Sequence, residues 1–184
     1  MLYLSRMKKA AAVVILILIF SVQLASAGSS TSSSGGVIQQ GKLDLSGWNP
    51  QSNDRVALDG PWEFYWNQLV SPGEFDGRHE LGGHRSVPGF WTAYPQLKLP
   101  SQGRATYRLL VTGVGGDNLL SIDLPEIYTE HRLWINGRLV AANGIISGQN
   151  LAFYKPAGHD FHHDGGPIEI VLQIQNDLHV FAGI

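Results

Sequence analysis

The 184-residue sequence contains no cysteine. That absence excludes disulfides, thiolate zinc sites, a lipid-acylated cysteine and thiol nucleophiles, and it suits an oxidising compartment. Charge is also scarce, since Asp, Glu, Lys and Arg make up 15% of the residues. Long helical periodicity is missing, and no long apolar run follows Phe20. No G-x-S-x-G is present, and Asp59, Glu63, Asp123, Glu126 and Glu130 are scattered rather than paired. "VTGVGGD", residues 111–117, is rich in glycine but has no helix after it to hold a phosphate. The expectation is a protein that is not an enzyme and has no cofactor.

What is present is apolar and turn-rich: 43% hydrophobic residues, 22 Gly and 9 Pro. This favours many short strands. The first 27 residues differ from the rest. Arg6, Lys8 and Lys9 precede the apolar run "AAAVVILILIF" at 10–20, and Ala25-Ser26-Ala27 offers a small-x-small cleavage site. This is the layout of a secretory signal peptide, expected over 1–27 with cleavage after Ala27. Met7 is a second possible start. An uncleaved anchor is the rival, but a bilayer span takes about 20 apolar residues, more than this run supplies. Removal of the leader leaves 10 basic residues against 15 acidic, a net charge of −5, so no nucleic-acid partner is expected. Ser- and Gly-rich residues 28–40 read as a linker, and 41–184 as one folded domain.

Period-two patterning dominates that domain. "ATYRLLVTG" places Tyr107, Leu109 and Val111 on one face; "NLLSIDL" does the same with Leu120, Ile122 and Leu124. "IEIVLQIQN" sets Ile168, Ile170, Leu172 and Ile174 against Glu169, Val171, Gln173 and Gln175, the pattern of a half-buried strand. Asn136-Gly137 within "HRLWINGRLVAANG" suits a type I′ turn and predicts a hairpin over 131–142. In "LDGPWEFYWNQL", residues 58–69, alternation sends Trp62, Phe64 and Trp66 inward and Glu63, Tyr65 and Asn67 outward, with Trp66 the ring nearest the strand end. The fold class is all-β, a sandwich or jelly roll.

The order of "LDLSGW", "VALDGPWEFYWNQL", "VPGFW", "GRATYRLLV", "LPEIYTEHRLWINGRLVAANG" and "IEIVLQIQND" resembles the type 1 extracellular sensory domain of bacterial seven-transmembrane receptors with diverse intracellular signalling modules. More loosely, it is similar to the sugar-binding jelly roll of family 2 glycoside hydrolases. The resemblance covers about 41–184. It implies a galactose-binding-like jelly-roll β-sandwich outside the inner membrane, joined in such receptors to membrane-spanning helices and a signalling output. Members continue beyond the point matching Ile184, so a fragment is expected and no output is assigned.

The resemblance implies a small-molecule ligand, with carbohydrate the leading class. Aromatic rings stack on the apolar faces of sugars. Tyr94, Phe153, Tyr154, Trp66 and Trp91 are therefore the candidate ligand-binding residues, with Tyr94 expected exposed and Trp91 expected to pack across the sandwich end. "GHDFHHD", residues 158–164, gathers His159, His162 and His163. The spacing fits no standard metal site, and the flanking glycines suggest a solvated loop. Two functions follow: a ligand-sensing module of a membrane receptor, or an accessory carbohydrate-binding domain of a secreted hydrolase.

Overall fold

The computed structural model describes residues 2–6, 36–52, 54–125, 127, 129–146, 149–150, 158–177 and 183. They form strands β1 (Tyr3–Arg6), β2 (Lys42–Asp44), β3 (Val56–Ala57), β4 (Gly60–Trp66), β5 (His84–Val87), β6 (Gly103–Thr112), β7 (Asn118–Asp123), β8 (Glu130–Ile135), β9 (Arg138–Asn143), β10 (Ile145–Ile146), β11 (Gln149–Asn150), β12 (His159–His163) and β13 (Ile168–Asn176). Two short 3-10 turns, Trp91–Ala93 and Pro95–Leu97, are the only helical pieces among the described residues.

The chain forms the all-β sandwich expected of it. The larger sheet runs β5-β4-β6-β13-β8-β9, with β2 parallel beside the end of β6; the smaller runs β12-β7-β1-β3. Alternation explains the register. Tyr107 faces Leu172, Leu109 faces Ile170 and Val111 faces Ile168 across β6 and β13, and all six side chains are at most 1% exposed. They meet Leu4, Leu120, Ile122 and Phe161 of the smaller sheet in one core. Asn136 and Gly137 have φ of 48° and 77°, the two positive values of a type I′ turn, and they join β8 to β9 as the sequence predicts.

Trp62 and Phe64 lie in the core as parity requires, at 0% and 1% exposure. Trp62 Nε1 donates to the Leu58 carbonyl at 2.9 Å, which satisfies its one polar atom. The outward side of β4 and β13 differs from expectation. Tyr65, Val171 and Gln173 are also buried, at 7%, 0% and 3%. The reason is the segment after β4, which folds over the outer face of the large sheet. Val70 N donates to Thr106 Oγ1 at 2.9 Å, Thr106 Oγ1 donates to the Gln68 carbonyl at 2.8 Å, and Gln173 Nε2 donates to the Val70 carbonyl at 3.0 Å. Phe75 then covers Tyr65 with ring centroids 5.3 Å apart. Under this cover Arg108 bridges Glu63 at 3.1 Å and Glu169 at 2.8 Å, with its guanidinium 4.5 Å from the Phe75 ring centre. Burial, then the hydrogen bond to Glu63, pushes the Tyr65 hydroxyl up to about 12.

Two segments outside the expected domain also contribute to the sandwich. Ile38, inside the expected linker, is 4% exposed and belongs to the core. Tyr3–Arg6, inside the expected leader, is a strand between β3 and β7. Leu2 and Leu4 are 0% exposed and point into the core. Leu2 and Leu4 alternate with the half-buried Tyr3 and Ser5, the period-two pattern of a strand with one face in a core.

Candidate functional site

At the edge of the large sheet, β5 pairs with β4 so that Trp62 lies opposite Arg85. Cross-strand partners share a face, so this arginine points inward from an edge strand. An inward charge blunts an edge against unwanted pairing, and here it also organises a group of rings. The Arg85 guanidinium lies 5.2 Å from the Phe64 ring centre and 4.9 Å from that of Tyr94. Its Nη1 donates to the His84 carbonyl at 2.6 Å and its Nη2 to the Gly82 carbonyl at 2.9 Å. Nε is buried and has no hydrogen-bond partner. Phe64 stacks on Trp66 at 6.1 Å, and Trp66 meets Trp91 edge-on at 5.3 Å.

An open cleft of about 240 Å³ lies over this array, lined by Phe64, Trp66, Gln68, Glu80, Gly82, Arg85, Leu97 and Leu99. Gln68 braces one wall: its Nε2 donates to the Glu80 carbonyl at 2.8 Å, and its Oε1 accepts from the Glu80 N–H at 3.2 Å. Glu80 and Leu97 are exposed at the mouth, and Trp66 is half-buried. The cleft thus offers an aromatic surface, two leucines, a cation and a carboxylate within a few side chains of one another.

Three of the five candidate ligand-binding rings meet around this cleft, in different roles. Trp66 lines it. Tyr94 is half-buried rather than exposed, because Arg85 packs on its face and its hydroxyl accepts the Ser86 N–H at 2.9 Å. It supports the cleft from behind Arg85. Trp91 is 0% exposed, and its Nε1 donates to the Pro100 carbonyl at 2.8 Å. It is enclosed in the core against Trp66 and has no face for a ligand. Phe153 and Tyr154 lie outside the described residues. Arg85, Gln68 and Glu80 were not singled out from the sequence. The one available signal was an arginine at an inward position beside the aromatic strand.

The histidine run is a strand, β12, rather than a loop. It pairs with β7 over His159–His163, and alternation then separates its side chains. His163 is 1% exposed and its Nε2 lies 2.9 Å from the Val114 carbonyl. His162 is on the other face, 2.9 Å from the exposed carboxylate of Asp117. His159, His162 and His163 therefore do not converge, and no group of three metal-ligating side chains occurs among the described residues.

No protein-family model matches the sequence, and neither does any curated protein. Among solved structures, the chain is similar to Faecalibacterium prausnitzii beta-glucuronidase, with a TM-score of 0.41 and 19% identity. The match covers 72% of this chain and 23% of that one. The likeness is one of shape, and the glucuronidase activity belongs to that protein.

Proposed function

We propose that this domain is an exported, non-catalytic ligand-binding module of a bacterial membrane signalling receptor, and that its ligand is a carbohydrate bound in the Trp66–Arg85 cleft. The observation that carries the site is the half-buried Trp66 ring, set beside Arg85 and Glu80 in an open cleft. Sugars present apolar C–H faces ringed by hydroxyls, so a site for them needs an aromatic surface with donors and acceptors at its rim. The ring, the guanidinium and the carboxylate provide these elements. The receptor context rests on the sequence resemblance, and export rests on the leader pattern of residues 1–27. A shallow cleft of this kind gives micromolar to millimolar affinity, about −4 to −8 kcal/mol.

Calorimetric titration of a glycan panel against the protein tests this reading. At least one glycan should bind and be recovered unchanged, and Glu80→Ala should weaken that binding without altering the unfolding midpoint, since Glu80 is exposed. Binding that is unaffected by Glu80→Ala would move the site elsewhere; release of a hydrolysed product would make the domain an enzyme.

A further inference from the structure

The strand β1 raises a question of topology. Its residues precede Lys8, Lys9 and the apolar run at 10–20. When such a run enters a membrane, the basic residues before it stay on the cytoplasmic side. Tyr3–Arg6 would stay with them. The sandwich, beginning near Ile38, would lie on the opposite side. Membrane insertion of the leader and docking of β1 in the sheet are therefore mutually exclusive. Export, or cleavage after Ala27, takes β1 out of a position where it is built in on both sides.

The position is specific. On one flank Tyr3 pairs with Asp123, Leu4 with Ile122, Ser5 with Ser121 and Arg6 with Leu120. On the other, Tyr3 pairs with Ala57 and Leu4 with Val56. The Leu2 N–H donates to Asp59 Oδ1 at 3.1 Å, and the Leu2 carbonyl accepts the Leu58 N–H at 2.7 Å. Leu2 and Leu4 fill two fully enclosed core positions. Without β1, β7 has an unpaired edge along four residues, the two-residue β3 has no partner in its sheet, and two leucine-sized holes open into the core. An open edge beside apolar holes is the arrangement used in strand addition, where main-chain hydrogen bonds supply affinity and pockets for alternate side chains supply specificity.

We propose that the slot between β3 and β7 is a strand-accepting site, that the chain's own Leu2–Arg6 is its occupant in the unprocessed protein, and that processing after Ala27 vacates it. The ligand class is an extended segment with apolar side chains at alternate positions. This site is separate from the Trp66–Arg85 cleft and does not depend on how that cleft is read.

The test uses the full chain with a protease site placed within residues 28–35. After folding, the chain is nicked and residues 1–27 are removed; amide exchange at Leu120–Asp123 and the urea midpoint are read before and after. Exchange there should become at least about tenfold faster on removal, and the midpoint should fall. A synthetic peptide of residues 1–6 should restore both, whereas the same peptide with Leu2→Asp and Leu4→Asp should not. Unchanged exchange and midpoint after removal would overturn the proposal, as would equal rescue by the aspartate peptide. A leader-free protein that dimerises and protects Leu120–Asp123 without any peptide would contradict the assignment of Leu2–Arg6 as occupant.

Discussion

At the scale of single residues, parity along β4 places Trp62 and Tyr65 on opposite sides, and the fold buries both. Trp62→Ala should destabilise by about 3–5 kcal/mol, because it leaves a large cavity in a closely packed core. Tyr65→Ala should also destabilise, by a smaller amount, because the ring lies only between the sheet and Phe75. Urea midpoints of the two variants check this order; a neutral Tyr65→Ala would mean that the 68–80 segment does not cover the sheet. Along β4, β6 and β13, which residues face the core was legible in alternation alone. The covering of the outer face was not, because Ser71, Gly73, Asp76 and Gly77 mark the segment as a loop without indicating where it lies. His131 carries a pH effect. It is 6% exposed, and burial lowers its pKa below the ordinary 6.5 despite the Thr129 carbonyl 3.0 Å from Nδ1. The unfolded chain therefore takes up a proton at a higher pH than the folded one, and this contribution to stability is lost as pH falls through about 6.5 toward the lower folded value. The urea midpoint should fall over that window in the native protein and less steeply in His131→Gln; equal slopes would contradict the assignment.

At the scale of elements, legibility followed turn chemistry. The β8–β9 hairpin is explicit in the sequence because Asn136-Gly137 permits two successive positive φ values. Gly137 has open space around its Cα, so Gly137→Ala meets no clash and is opposed only by its φ of 77°. The expected loss is about 1–2 kcal/mol, read as a lower thermal midpoint with the native circular dichroism spectrum retained. A midpoint equal to that of the parent would show that the turn is not the tight one described. β12 was illegible for the opposite reason. Its one inward apolar side chain, Phe161, is flanked by histidines, aspartates and glycines that read as solvated, and only pairing with β7 makes it a strand. The cleft was half legible. Trp66, Trp91 and Tyr94 stood out by type, but Arg85 joins them only because β5 folds back on β4 and sets it opposite Trp62.

At the scale of the whole molecule, two sheets enclose one core, and the rings at its β4–β5 end run in series from Tyr94 through Arg85, Phe64 and Trp66 to Trp91. One end of that series is sealed by Trp91, and Trp66 opens into the cleft. The central claim is that a glycan is held there. The most direct measurement records the indole N–H resonances of the five tryptophans by NMR during titration with the glycans that bind. The Trp66 resonance should shift and saturate at the calorimetric affinity, while those of Trp62 and of the sealed Trp91 change little. A glycan that saturates the protein and leaves Trp66 unmoved, or that shifts Trp134 on the opposite side of the sheet order instead, would contradict the account.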